Sequence, residues 1–138
     1  MLATSRSVAD AARAAVSAAA ALGVTGDLTA AGASTPAQAL HGDAGAGNLM
    51  ATGDGWIWHD FEDTCSGPVA WDLAASTASP RLDGSRILAA YGDPVPAQLA
   101  VCQQLRRLHL TVWYALYSER LPHLRSRAAE LLALWPAP

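Results

Sequence analysis

Apolar residues recur at helical spacing through the last third of the chain. Val101, Leu105, Leu108, Val112 and Leu116 line one face over about four turns, with Gln103, Gln104, Arg106 and Arg107 mainly on the other side. A final helix carries Leu121, Leu124, Ala128, Leu131 and Trp135 on one stripe, leaves Arg125, Arg127 and Glu130 outside it, and stops at Pro136. Arginines in these segments read as solvated, and His109 and His123 as surface or core-edge residues. Shorter helices are expected from near Val69, after Gly67-Pro68, and over Ser85 to Tyr91, closed by Gly92; Asp93-Pro94 then starts the next. At the other end, Ser5 to Leu22 is dominated by alanine, the best helix former, and Gly23 is a natural stop. A signal peptide is the weaker reading there, because Asp10 and Arg13 interrupt its front.

The middle follows another pattern. Leu49-Met50-Ala51 and Trp56-Ile57-Trp58 are short apolar runs joined by Thr52-Gly53-Asp54-Gly55, and Asp54-Gly55 is a strong hairpin signal. Pairing them places Asn48, entering one strand, and Asp60, leaving the other, at the same hairpin end. Thr25 to Pro36 and Asp63 to Ser66 read as loops, and Ala37 to Leu40 as a short approach. The fold class expected is mainly α, an α+β domain with one hairpin.

That hairpin end gathers chemistry. The segment His41-Gly42-Asp43-Ala44-Gly45-Ala46-Gly47-Asn48 is too rich in glycine for a regular helix, so Asp43 and Asn48 sit on a loop. Asn48 and Asp60 offer two oxygens to a hard cation such as Mg²⁺, which completes its shell with phosphate and water. Asp43, not needed for the metal, can accept a proton from an attacking hydroxyl. An Asp base, an Asn further along the loop and a separate Asp-Phe acid on the metal form the layout of kinase-type phosphoryl transfer.

On these residues the chain resembles the aminoglycoside phosphotransferase and choline kinase group of small-molecule kinases, which have a protein-kinase-like fold. His41, Gly42, Asp43 and Asn48 match that group's H-G-D-x-x-x-x-N loop. Asp60-Phe61-Glu62-Asp63, Gly67-Pro68 and Trp71-Asp72-Leu73-Ala74 match its metal segment and the motif after it, in order. The resemblance covers residues 36–76 firmly. It implies ATP-dependent phosphorylation of a hydroxyl on a small molecule, with Mg²⁺ as cofactor and ATP as co-substrate. Asp43 would orient or deprotonate the acceptor, and Asn48 and Asp60 would hold Mg²⁺. Glu62 would be a further acid outside the metal's immediate ligands, His41 would lock the loop, and Asp72 would brace it from beneath. Trp71 is expected as a core anchor.

Two departures stand out. Ala44-Gly45-Ala46 replaces the bulkier residues usual after the catalytic Asp, and His59 replaces an aliphatic residue before the metal Asp. His59 admits a rival, a metal-dependent phosphohydrolase using His41 and the His59-Asp60 pair. Such a pair lies on a helix, whereas Trp56-Ile57-Trp58 reads as strand. His59 is therefore expected as a partly buried neighbour of the site.

Composition sharpens this picture. The chain has 138 residues, 51% of them apolar, enough for a core, and a net charge of −3, which gives no basic field for nucleic acid. Every basic residue is arginine, and there is no lysine. Kinase-like enzymes set a small-lobe lysine on the α- and β-phosphates, and arginine's planar fork is not an equivalent. No glycine-rich phosphate loop precedes His41, and the 40 residues before it are fewer than the roughly 60 to 80 of a complete small lobe. The expectation is a large lobe (residues 36–138) without its ATP-clamping small lobe, preceded by an alanine-rich helix and loop (residues 1–35). A fragment, a truncated gene product and one half of a split assembly all fit.

The alternative to an enzyme is an orphan lobe acting by self-association or with a small-lobe partner through its uncovered cleft. Residues 80–138 carry seven arginines against four acids, which disfavours a polycationic aminoglycoside and favours a neutral or anionic hydroxyl acceptor. Cys65 and Cys102 read as free thiols, no membrane span is expected, and the location expected is cytoplasmic.

Overall fold

The computed structural model describes residues 37–92 and 94–135, so the expected helix over 5–22, the loop over 25–36 and the stop at Pro136 lie outside them. About half of the described chain is helical and its strands form two small antiparallel ladders, which makes the fold α+β. The described residues fall into two compact units, 37–106 and 107–135.

In the first unit the two ladders nest. Strand β1 (Gln38–Leu40) pairs with β4 (Cys65–Gly67), Leu40 opposite Cys65. Inside this outer ladder, β2 (Leu49–Thr52) and β3 (Gly55–Trp58) form the expected hairpin, Leu49 opposite Trp58 and Thr52 opposite Gly55. The turn residues are Gly53 and Asp54, and the conformational demand falls on Gly55, whose φ of +130° favours glycine. The outer ladder corrects the expectation of plain loop over Asp63 to Ser66.

Helix α1 (Ala70–Thr77) follows directly, and α2 (Gly84–Tyr91) packs against it. Their close approach depends on Gly84, where an added Cβ would lie 3.0 Å from the Thr77 carbonyl. Asp83 caps α2, accepting from the amides of Ser85 at 3.0 Å and Arg86 at 3.3 Å. The Ser85 hydroxyl, and after it the Arg86 amide, hold the Asp83 carboxyl below its ordinary range. Gly92, at φ +99°, closes the helix with its N–H on the Leu88 carbonyl.

The third helix, α3 (Leu99–Ser118), begins later than the expected start at Pro94. Pro96 disfavours helical backbone at the residue before it, so the chain turns first, with the Leu99 amide on the Pro96 carbonyl at 3.0 Å. Leu99 and Cys102 join Ala70, Leu73 and Ala74 in the core of this unit, with Val69, Ile87 and Leu88 packed against it. Both cysteines are free, and burial raises the Cys102 thiol above its ordinary range.

The second unit contains the rest of α3, a 3-10 turn over Pro122–Leu124 and helix α4 (Arg125–Ala133). Trp135 Nε1–H donates to Thr111 Oγ1 at 3.0 Å, and that hydroxyl donates to the Arg107 carbonyl. Ala128, Leu131 and Trp135 are buried along the expected stripe. In the part of α3 that belongs to this unit the buried positions are Thr111 and Ala115, while Leu116 is exposed. Small side chains occupy the packed face, and the bulky Leu110, Trp113 and Tyr117 lie outside, Trp113 stacked on Tyr117 at 4.4 Å. Among the described residues no helix is long and apolar enough to cross a membrane.

Candidate active site

Residues 41–48 and 59–64 lie between the two nested ladders, so each loop is pinned at both ends. The His59 amide donates to the Asn48 carbonyl at 3.1 Å, extending the inner ladder by one step. Asn48 and Asp60 are thereby set at one end of the hairpin. Within the first loop, the Gly45 amide turns back to the Asp43 carbonyl at 2.7 Å and the Asn48 amide to the Gly45 carbonyl at 3.0 Å. This tight turn needs no bulk at 44–46, which accounts for the small residues there. It delivers the Asn48 Nδ2 onto Asp43, donating to its carbonyl at 2.9 Å and to Oδ2 at 3.0 Å.

Four side chains hold the loop from the protein side. Asp72, in the first turn of α1, accepts the His41 amide on Oδ2 at 2.8 Å and the Gly42 amide on Oδ1 at 3.0 Å. Trp71 Nε1–H donates to the Gly42 carbonyl at 2.8 Å, and Ser76 Oγ donates to the Ala44 carbonyl at 2.6 Å. The fourth is Arg106. It donates through Nη1 to the Gly42 carbonyl at 3.2 Å and pairs through Nη2 with Asp43 Oδ1.

Replacing Asp72 with Ala strands two half-buried amides. An unmet buried donor costs about 1–3 kcal/mol, so a loss of about 3 kcal/mol is expected in urea denaturation. Asp72→Asn, which keeps one acceptor oxygen, should lose about half of that.

His41 lies on top of the loop, its ring 4.6 Å from that of Phe61 and 5.2 Å from that of Trp58. Nε2 meets the His59 carbonyl at 2.9 Å, and the Asp43 amide donates to Nδ1 at 3.4 Å. The tautomer with its proton on Nε2 satisfies both bonds. This ring ties the two loops together, and neither nitrogen is left for a metal. His59 itself is exposed, which corrects the expectation of partial burial, and it follows a strand. The arrangement of the phosphohydrolase rival is therefore not present.

Asp60 is exposed and has φ +66°, a left-handed conformation that Asp tolerates better than most residues. Among the described residues its carboxylate has no hydrogen-bond partner, and Glu62 is likewise exposed and unbonded. No group of three His, Cys, Asp or Glu side chains among them could hold a metal. The oxygens on offer are Asn48 Oδ1, whose amide nitrogen is committed to Asp43, and the Asp60 carboxylate. Such a donor pair suits Mg²⁺, which is held by one or two protein ligands and the phosphates of its substrate.

Sequence pattern alone assigns Arg106 to the solvated side of its helix, yet it is buried. The charge distribution bears on this: no Lys or Arg lies between Arg13 and Arg81, so a cation that pairs with a carboxylate of the loop comes from far along the chain. Trp71 and Arg106 also form a pair, the guanidinium carbon lying 5.0 Å from the ring centroid.

A family model described as the phosphotransferase enzyme family (APH) matches residues 2–100. The chain belongs to this family. No curated protein and no solved structure matches it. The match reaches back to residue 2, whereas the motifs by themselves tie only residues 36–76 to such enzymes. Within this phosphotransferase-family chain, Asp43, Asn48, Asp60 and Asp72 all fall inside the matched span, and Arg106 lies beyond it.

Proposed function

We propose that the chain transfers the γ-phosphoryl group of ATP to a hydroxyl of a neutral or anionic small molecule, and that residues 37–106 form the catalytic part of a protein-kinase-like large lobe. The observation that carries this reading is the Asp43–Asn48 contact at the hairpin end occupied by Asp60, in a chain of the phosphotransferase enzyme family. Asp43 accepts a hydrogen bond from the acceptor hydroxyl and takes its proton as the acceptor oxygen bonds to the γ-phosphorus. The bond from that phosphorus to the β,γ-bridging oxygen breaks, and ADP leaves. Asn48 has a double task, steadying Asp43 through its amide nitrogen and offering Oδ1 beside Asp60. Mg²⁺ bound by Asn48 and Asp60 would supply positive charge to the β- and γ-phosphate oxygens. These 138 residues include no lysine for the α- and β-phosphates, so within them that contact would fall to an arginine.

The test is nucleotide binding and turnover by the whole polypeptide. ATP affinity should require Mg²⁺ and should fall about tenfold or more in Asp60→Ala. ADP release should be accelerated by at least one member of a panel of polyols, amino alcohols and hydroxy acids. A second reading, a non-catalytic association module, is favoured by the apolar hairpin, where Met50, Trp56, Ile57 and Trp58 are exposed, Trp56 to 72%. A folded chain that binds no nucleotide with or without Mg²⁺, and that self-associates in sedimentation, would replace the first reading with this one.

A further inference from the structure

Arg106 is a buried cation that lies outside the family match and outside every motif of the sequence. Its side chain retains 6% of its exposure, whereas that of Asp43 retains 45%. Two of its nitrogens are engaged, on the Gly42 carbonyl and on Asp43 Oδ1, while its Nε is buried without a partner. Burying a guanidinium and leaving one of its donors unmet is costly, and a well-packed apolar side chain of similar volume is commonly as good for stability or better. Core packing therefore does not explain an arginine at this position. Its contacts explain it better, because all of them fall on the Gly42-Asp43 step or on Trp71, which itself holds the Gly42 carbonyl.

We propose that Arg106 is the positioning residue of Asp43, setting the rotation in which its carboxylate meets the acceptor hydroxyl. A carboxylate offers two oxygens with two lone pairs each. Oδ1 accepts from the guanidinium. Oδ2 accepts from the Asn48 amide, so each oxygen has one partner and a lone pair to spare, and the two donors together fix how the carboxylate is turned toward an incoming O–H. The fork of Arg106 spans backbone and side chain of the same two-residue step, so it fixes both where the loop lies and how the carboxylate is rotated. Lysine, a single point donor, could satisfy one of those contacts but not the planar pair. The proposal rests on the phosphotransferase reading above for its catalytic consequence, and on the observed pairing for its structural part.

The experiment uses Arg106→Met, which keeps the length of the side chain against Trp71 and removes the charge and the donors, and Arg106→Lys. ADP release is followed from Mg-ATP with the fastest acceptor of the panel and with water alone. The expected result is a fall in kcat of about tenfold for Met and a smaller fall for Lys, with KM for ATP within twofold of the parent. In an Asp43→Asn background the Met substitution should cause no further loss, since the group it positions is gone. A fall in kcat that adds fully to that of Asp43→Asn, or none in Arg106→Met, overturns the proposal and leaves the phosphotransferase reading standing. If the parent shows neither Mg-ATP binding nor turnover, that reading fails instead. A denaturation double-mutant cycle between Arg106→Met and Asp43→Ala then decides the structural part: coupling supports the pairing, and additive effects overturn it. The same cycle serves should a single variant fold too weakly to assay.

Discussion

Asp43→Asn is expected to lower phosphoryl transfer by about 10²- to 10⁴-fold, the range contributed by a positioned general base. The substitution keeps the shape of the side chain and removes its ability to take a proton. It also creates a local conflict. Oδ1 of Asp43 faces the guanidinium of Arg106 and Oδ2 faces the amide nitrogen of Asn48, so both neighbours are donors. Whichever way the substituted amide turns, its NH₂ meets one of them. The loop is pinned at both ends by the ladders and held by Asp72 and Trp71, so this conflict should shift the side chain more than the backbone. Mg²⁺-dependent nucleotide affinity should accordingly stay within about threefold, because Asn48 Oδ1 and Asp60 are untouched. The measurement is kcat and nucleotide affinity on the same preparation. Transfer within tenfold of the parent would remove Asp43 from the chemistry. A parallel loss of nucleotide affinity would instead mean that it holds the metal.

Parts of this arrangement are legible in the sequence, for reasons that differ from residue to residue. The hairpin was readable because its information is local: two apolar runs of three residues and a glycine-bearing turn lie within ten positions, and they pair as Ala51 with Trp56 and Met50 with Ile57. The outer ladder was not. Gln38-Ala39-Leu40 and Cys65-Ser66-Gly67 have neither alternation nor β-branched residues, and their pairing follows from where the intervening chain returns. In α3 the apolar stripe marks the helix, but the buried face lies about one position away from it. Counting large hydrophobics points to Leu105 and Leu116, whereas Cys102 and Arg106 in one unit and Thr111 and Ala115 in the other are the positions that pack. A buried arginine inverts the usual meaning of a charge on a helix, and only its partners reveal it. Asp72 came from the motif alone, and its geometry on the His41 and Gly42 amides gives that motif a physical content.

Gly42→Ala is expected to destabilise the chain by about 4 kcal/mol or more, enough to prevent stable folding of a marginal domain. Two costs add. Gly42 has φ +86°, and a residue with a side chain in that region costs of order 1–3 kcal/mol. The second is steric: an added Cβ would run into the backbone carbonyl of Asp63. Neither strand can yield easily, because Leu40 and Cys65, two residues away on each side, are the last paired positions of the outer ladder. Gly42 and Asp63 are thus the next facing pair, at the point where the two loops diverge. Moving them apart would also draw the Gly42 amide from Asp72 and its carbonyl from Trp71 and Arg106. Circular dichroism and urea denaturation check the loss. Two further variants separate its causes. Gly47→Ala, where nothing lies within 4 Å of the new Cβ, should change stability by no more than about 0.5 kcal/mol. Asp63→Gly should not rescue Gly42→Ala, because it removes the Asp63 Cβ, 2.9 Å from the added atom, but leaves the nearer obstacle, the Asp63 carbonyl. Rescue by that second change would mean that the side chain was the barrier and that the two loops can slide, which would loosen the hold on Asp43 that the proposed chemistry depends on.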